Sequence, residues 1–544
     1  RLGEGPSLRD FVQASVEGGG ADEVDEEDED LTPPYLRPDA LWGHGRKVYF
    51  ETYGCQMNTS DTEIAWAILQ KQGYFRTDNL AEADVILAVT CAIRDKAEQT
   101  VWRRVERFRH LKRERQKRGG AALQIGILGC MAERLKRDIL DRERAVDVVA
   151  GPDAYRGLPH LLARARSHQE AIDVALSVDE TYADVVPLRA DPSAPSAFVS
   201  VMRGCNNMCT YCIVPFTRGR ERSRPLASVL AEVGVLLQQG VKEVVLLGQN
   251  VNSYCDTSQP AAGTPPEGPP DGGPSALSRG FGSVCRRLTP APDRREVRFA
   301  ELLAAVSELD PEMRVRFTSP HPKDFPDEVL QVIRERPNIC KQIHLPAQSG
   351  SSSVLARMGR GAQDRDPFLV LVEGVSQGPV NVSLDNQSLS VSKTKMSWLV
   401  VFLLKSKHLC CPRATRACVE QKTRASHRLR DDVPPSVKQR RLSELIAAFR
   451  ESASDLNAAR VGSTQLVLVE GASRRSQLEL SGRTDGNARV VFPDVLLPDG
   501  AGSPALASAR RGDYVAVKIT SSSSQSLRGT ALHRTTLREF HATP

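Results

Sequence analysis

Long apolar runs are missing from this chain of 544 residues. The longest, Trp398 to Leu404, falls far short of the roughly 20 apolar residues a bilayer-spanning helix needs, so no membrane partner is expected. Cysteine is sparse as well: 12 in the whole sequence cannot build a disulfide scaffold, which belongs to short, cysteine-dense secreted chains. Net charge is small, +6 overall, and no signal-peptide h-region accompanies Arg1 at the start.

What is present is unevenly placed. Residues 1–46 carry 4 basic and 12 acidic side chains, and the run Asp25 to Asp30 is wholly acidic. So little apolar surface cannot offset the entropy of ordering, which predicts a disordered acidic tail. Residues 421–544 carry 19 basic and 12 acidic side chains, a balance that suits a polyanion, because Lys and Arg displace counterions from phosphates. The length exceeds one hydrophobic core and implies two to four domains.

The cysteines are not scattered. Cys205, Cys209 and Cys212 fall within the stretch Arg203-Gly204-Cys205-Asn206-Asn207-Met208-Cys209-Thr210-Tyr211-Cys212. Three thiolates that close can hold three corners of a cubic iron–sulfur cluster and leave its fourth iron open. A zinc site, usually built from C-x₂-C pairs, is the alternative, and three chance thiols the other. Upstream, Lys47–Thr52 reads as a strand running into Gly54-Cys55, Val85–Thr90 as one ending on Cys91, and Ile125–Gly129 as one ending on Cys130. Strands alternating with helices predict a parallel α/β domain, and open sheets of that kind place their sites at the strands' C-terminal ends. A second cluster on Cys55, Cys91 and Cys130 competes there with three ordinary buried thiols. Cys255, Cys285, Cys340, Cys410, Cys411 and Cys418 read as ordinary thiols.

Helical spacing over Asp61 to Gln72 ends at Gly73. The helix Val101–Arg118 carries an apolar stripe (Val101, Val105, Phe108, Leu111) among Arg and Lys; a solvated outer face explains it, with RNA contact as the competing reading. A second βα series opens with the strand Ala197–Met202, passes through the arginine patch Pro215–Pro225 and the helix Leu226–Gln239, and reaches Glu243–Asn250, a strand ending in a polar loop. Residues 257–296, rich in Pro, Gly and Ser, predict a flexible insert. The helix Phe299–Leu309 and strands from Arg314 and Gln342 resume the rhythm of a barrel-type α/β domain. Over 461–538, short strands with Gly and Asp turns and an excess of Arg predict a small β-barrel, a form that often binds single-stranded or looped nucleic acid.

Seven stretches then occur in order: Tyr53-Gly54-Cys55-Gln56-Met57-Asn58, Thr90-Cys91-Ala92-Ile93-Arg94, Gly129-Cys130, Arg203 to Cys212, Leu247-Gly248-Gln249-Asn250-Val251, Thr318-Ser319-Pro320-His321-Pro322 and His344-Leu345-Pro346-Ala347-Gln348-Ser349-Gly350. Together they resemble the radical S-adenosylmethionine methylthiotransferases, over most of 47–356 and 421–538. The resemblance implies an α/β multidomain chain: an N-terminal parallel α/β domain at 47–165, a partial (β/α) radical barrel at 190–425, and a small β-barrel of the TRAM type at 461–538. It implies two 4Fe-4S clusters and S-adenosylmethionine as cofactors. Cys205, Cys209 and Cys212 would hold the radical cluster, Cys55, Cys91 and Cys130 an auxiliary cluster carrying sulfur, and Tyr211, Gly248, Gln249, Thr318 and Gln348 would line the cofactor.

One S-adenosylmethionine would methylate that sulfur, and a second, cleaved reductively, would yield the radical that takes hydrogen from C2 of N6-isopentenyladenosine beside the tRNA anticodon. An aromatic C–H offers no acidic proton to a side-chain base, so the chemistry must come from cofactors. The barrel would grip the anticodon stem-loop, and Arg218, Arg220, Arg222, Arg224, Lys518 and Arg528 would meet the RNA, the four patch arginines alternatively the cofactor. An electron donor and a kinase regulatory subunit are the other implied partners, and the mitochondrion, with the cytoplasm second, the implied location. The sister activities on threonylcarbamoyladenosine or a ribosomal-protein aspartate, and a non-catalytic kinase-regulator binder, stand as alternatives.

One departure is large. The family's Asp…Gly-Phe-x-Gly-Glu-Thr loop and following strand are missing between Ser353 and Gln421, and residues 357–420 look unrelated. Those units close the partial barrel and complete the cofactor pocket, so the chain as written is expected to be poorly folded or inactive.

Overall fold

The computed structural model describes residues 38–92, 95–167, 169–258, 295–321, 324–344, 356–359, 381–383, 423–425, 434–500 and 504–542. The acidic run 25–30, nearly all of the insert, Gln348 with its motif Leu345–Gly350, and most of 357–420 lie outside them.

Six strands form the first sheet: β1 (Lys47–Thr52), β2 (Phe75–Arg76), β3 (Val85–Thr90), β4 (Gln124–Gly129), β5 (Val148–Ala150) and β6 (Ala171–Asp173), in the order β2-β1-β3-β4-β5-β6. Every pairing is parallel. The central β3 is buried along its whole length, which is why its sequence is an unbroken apolar run and not an alternation. One face packs on the helices Gln56–Lys71 and Leu158–Arg166, the other on the helix Asp95–Lys117 through Val101, Val105 and Phe108. That last helix spends much of its basic charge on the sheet: Arg104 pairs with Glu51, Lys112 with Asp147 at 2.6 Å, Arg115 with Asp84 at 2.7 Å and Arg109 with Glu143 at 3.2 Å. These pairs favour the solvated-face reading over RNA contact.

Residues 38–46, expected within the disordered tail, are instead held. The Trp42 ring covers Gly73, Gly43 N–H bonds the Gln72 carbonyl at 2.6 Å, and Arg46 reaches the Tyr74 hydroxyl at 2.6 Å. One tryptophan and one arginine suffice to dock the segment, a tertiary effect that composition does not show.

The second unit has β7 (Ser196–Ser200), the short antiparallel pair β8 (Met202–Arg203) and β9 (Arg222–Ser223), then β10 (Glu243–Leu247). The antiparallel pair β11 (Cys255–Asp256) and β12 (Val297–Arg298) closes the root of the insert. Next come β13 (Arg314–Phe317), β14 (Gln342–His344) and β15 (Asn381–Ser383). β7, β10 and β13 are parallel neighbours; Ile339, just before β14, bridges to Val315, and β14 pairs in parallel with β15. The helices Leu226–Gln238, Phe299–Leu309 and Asp327–Glu335 cover this partial barrel through one apolar core. β15 is a correction to the expectation for 357–420: that segment does supply a strand to the closing side.

The helix Pro435–Ala458 packs Phe449 and Leu456 on the same core and leads to the last unit. There β16 (Thr464–Ser473), β17 (Ser476–Thr484), β18 (Arg489–Pro493), the hairpin β19 (Leu496–Pro498) with β20 (Leu506–Ser508), β21 (Tyr514–Ser522) and β22 (Leu527–Thr535) follow in order. They close a barrel in the order β16-β17-β18-β22-β21. It docks on the N-terminal ends of β10 and β13: Arg314 donates to the carbonyls of Leu466 and Arg483, and Arg316 to those of Thr484 and Asp485, at 2.7–3.0 Å.

Candidate active site

Register decides where the first cysteines lie. Thr52 stands opposite Val89, and Thr90 opposite Gly129, so β1, β3 and β4 end together and release Cys55, Cys91 and Cys130 at one edge. Gly54 and Gly129 have φ of 109° and 89°. A Cβ on Gly54 would fall 2.5 Å from Cys91 Cβ and 3.1 Å from its Sγ, so only glycine lets the Cys55 loop lie against Cys91. Burial, opposed by Arg218 and reinforced by the neighbouring Cys91 and Cys55, pushes the Cys130 thiol up to about 11.

Cys205, Cys209 and Cys212 occupy the loop after β8. Gly204, φ 76°, opens it; a Cβ there would sit 1.8 Å from the Arg220 carbonyl oxygen. Asn207 N–H donates to Cys205 Sγ at 3.4 Å, and Cys212 N–H to the Cys209 carbonyl at 3.0 Å. Burial above all, with Cys212 and Cys209 adding to it, drives the Cys205 thiol far above its ordinary range. Tyr211 lies half-buried in the turn between the last two cysteines. Segments beyond the motif brace the loop: Thr210 N–H bonds the Met358 carbonyl at 2.8 Å, and Ala425 N–H the Thr210 carbonyl at 2.7 Å.

One apolar cluster links the neighbourhoods of the two thiol triads. Ile213, next to Cys212, packs against Cys130 and against Ala92, the neighbour of Cys91. Among the described residues no three His, Cys, Asp or Glu side chains converge on one ion, which favours neither zinc nor an iron–sulfur cluster at these cysteines.

The cofactor-lining candidates sit at the ends of β10 and β13. Gly248 leaves no room for a side chain, since a Cβ would be 2.7 Å from Met202 Cγ. Both amide atoms of Gln249 and Oδ1 of Asn250 are buried with no partner among the described residues. Buried polar atoms normally find partners, so this rim is fitted to a polar ligand that supplies them. Thr318 N–H bonds the Leu246 carbonyl at 3.1 Å, and Ser319 follows with φ 62°, a costly backbone state that clusters at functional sites. In donor chemistry, two sets of three thiols and this unpartnered polar rim fit 4Fe-4S clusters beside S-adenosylmethionine.

The arginine patch departs from expectation. Arg218, Arg222 and Arg224 are buried and paired, with Asp61 at 2.6 Å, Asp153 at 3.0 Å and Glu232 at 2.6 Å respectively. Buried guanidiniums in ion pairs cannot face a phosphate, so these three do not carry the RNA contact; Arg220 remains half-buried, with its carbonyl against Gly204. Lys518 is exposed, and Arg528 is exposed and paired with Glu479 at 2.8 Å.

Residue-level reading missed Asp61. It is fully buried, and its oxygens accept from Arg203 at 2.8 Å and Arg218 at 2.6 Å. Burial alone would raise this carboxyl, but the two guanidiniums outweigh it and hold it below its ordinary value. The available signal was Asn58 and Asp61, one helical turn apart directly after Cys55.

Residues 47–151 match "Uncharacterized protein family UPF0004", 199–375 the radical SAM superfamily and 458–532 the TRAM domain. "Mitochondrial tRNA methylthiotransferase CDK5RAP1" of Rattus norvegicus is 55% identical over 543 residues, 99% of this chain and 90% of that protein. The Homo sapiens protein of the same name is 54% identical over 560 residues, 100% and 90% of the two chains. "tRNA-2-methylthio-N(6)-dimethylallyladenosine synthase" of Amoebophilus asiaticus is 41% identical over 507 residues, 92% and 94% of the two chains. The chain therefore belongs to the radical S-adenosylmethionine tRNA methylthiotransferases, enzymes whose cofactors are S-adenosylmethionine and 4Fe-4S clusters.

Proposed function

We propose that this chain methylthiolates C2 of N6-isopentenyladenosine next to the anticodon, in mitochondrial tRNAs. The observation that carries the reading is the packing of Ile213 on Cys130 and Ala92, which sets the radical-cysteine loop against the auxiliary-cysteine edge. Relatives whose names specify mitochondrial tRNA and the dimethylallyl substrate support the choice of RNA.

Cys205, Cys209 and Cys212 hold the cluster that binds S-adenosylmethionine, and Cys55, Cys91 and Cys130 the auxiliary one. When bound, these groups supply the radical and the sulfur that no side chain provides. The chain's own part is orientation and exclusion of water. Gly248 and Gln249 shape and line the cofactor rim, with Tyr211 and Thr318 beside them; Gln348, the other residue the resemblance implies, lies outside the described residues. Gly204 and Gly54 allow the two loops to approach closely. Division of labour follows the units: 47–165 for the auxiliary cluster, 190–425 for the radical and 461–538 for the tRNA, with Lys518 among its phosphate contacts. An extruded adenosine then reaches the strand ends. A separate electron donor reduces the radical cluster.

Anaerobic reconstitution followed by mass spectrometry of tRNA nucleosides tests this. Gain of one methylthio group on isopentenyladenosine, with about eight irons per chain from two cubanes, is the expected result. Methylthiolation of threonylcarbamoyladenosine in its place would identify the sister activity. No iron together with retained binding of a kinase regulatory subunit would make the chain a non-catalytic binder.

A further inference from the structure

Asp61 lies on the helix Gln56–Lys71, directly after Cys55, and is fully buried. Its carboxylate is shared between guanidiniums that flank the radical-cysteine loop. Oδ1 accepts from Arg203 Nη1 at 2.8 Å, and Oδ2 from Arg218 Nη2 at 2.6 Å. Arg218 also aims Nε at Cys130 Sγ, 3.2 Å away, and Nη2 at Asn58 Oδ1, 3.0 Å away. Its Nη1 is buried with no partner among the described residues. One guanidinium thus touches an auxiliary-set thiol while tethered to a carboxylate that also holds the root of the other loop.

We propose that Arg218 is a positioning residue whose N–H donor and positive charge at Cys130 raise the reduction potential of the auxiliary cluster, with Asp61 as the opposing charge that tempers it. The inference rests on the reading that Cys55, Cys91 and Cys130 hold that cluster. Accepting one electron adds negative charge to irons and thiolates. A hydrogen bond to a ligating sulfur and a nearby cation both stabilise the reduced form, and both are recognised levers on cluster potential. The site is buried, so solvent damps neither effect as it would at the surface. Asp61 must act with the opposite sign, because its carboxylate partly neutralises the same guanidinium.

The sign difference makes the test. Replacing Cys205, Cys209 and Cys212 by alanine leaves only the auxiliary cluster, whose reduction by dithionite, one electron per cluster, is followed by electron paramagnetic resonance. In that background Arg218→Gln should lower the reduced-to-oxidised ratio at fixed potential at least tenfold, a midpoint shift of about 59 mV for a one-electron couple. Arg218→Lys keeps the charge without the fork and should shift less. Asp61→Asn should move the midpoint upward. A purely structural role would instead lower iron content in all three without opposed shifts. Unchanged midpoints with iron retained, shifts of one sign in Arg218→Gln and Asp61→Asn, or iron loss from Arg218→Gln with the other two unshifted would each overturn the proposal. A triple-alanine background that takes up no iron and sulfide would overturn the cluster assignment itself, and this inference with it.

Discussion

A methyl group at position 204 would stand 1.8 Å from the Arg220 carbonyl oxygen, at a φ of 76°. The obstacle is backbone, so it cannot swing aside. Gly204→Ala should therefore displace Cys205 and remove the radical cluster, leaving about half the iron of the parent chain. Iron quantitation checks this, and undiminished iron would show that the loop tolerates the change. Glu63 shows a different residue-scale effect. Burial, opposed by the Ala190 N–H bond and reinforced by Glu232, raises its carboxyl from 4.5 to about 7. The folded state then holds the proton more tightly than the unfolded one. The stabilisation is complete below pH 4.5 and is lost as pH rises towards about 7, on the order of 3 kcal/mol at most. Thermal melts across that window should show Tm falling with pH, and Glu63→Gln should flatten the slope.

Elements differ in how much of them the sequence displays. β3 and the helix Phe299–Leu309 were both legible: an unbroken apolar run marks a strand covered on both faces, and a regular stripe marks a helix covered on one. The helix Gln56–Lys71 was only partly legible, because it is buried on nearly every side and has no stripe to reveal its first turn. Its polar residues serve the neighbouring unit, which local periodicity cannot express. The interface between partial barrel and terminal barrel is another element-scale device. Arg316 pairs with Glu243 at 2.6 Å and donates to the Thr484 and Asp485 carbonyls. Arg316→Ala would leave Glu243 buried without its charge partner, at a cost of about 3–5 kcal/mol. Calorimetry should then resolve the terminal barrel as a separate, lower transition, whereas one undivided transition would show that the docking does not depend on this pair.

For the whole molecule, charge and continuity set the expectations. Lys518 is exposed on β21 and free of the pairing that ties Arg528 to Glu479. Lys518→Ala should weaken tRNA binding uniformly across sequences and reduce the salt slope by about 1, while Arg528→Ala changes it less. Titrations at several salt concentrations read both. The segment 357–420 bears on turnover: β15 pairs with β14, and Met358 bonds Thr210, so parts of it brace the site despite the missing family loop. The expected outcome is a full complement of iron but slower methylthiolation than the Rattus norvegicus relative assayed side by side; equal rates would show that the substitute segment completes the pocket.

Sequence alone determined the order of the units and named the candidate donors. Cysteine spacing, strand endings and charge distribution are local quantities, and each points to its chemistry without knowledge of the fold. Tertiary structure decided which groups meet. The aligned ends of β1, β3 and β4 assemble the auxiliary thiols, and Ile213 packs them against the radical loop. Burial turned three patch arginines from solvent-facing candidates into ion-pair partners. A guanidinium reads the same in sequence whether it faces RNA or a buried carboxylate, and only the packing around it sets its partner.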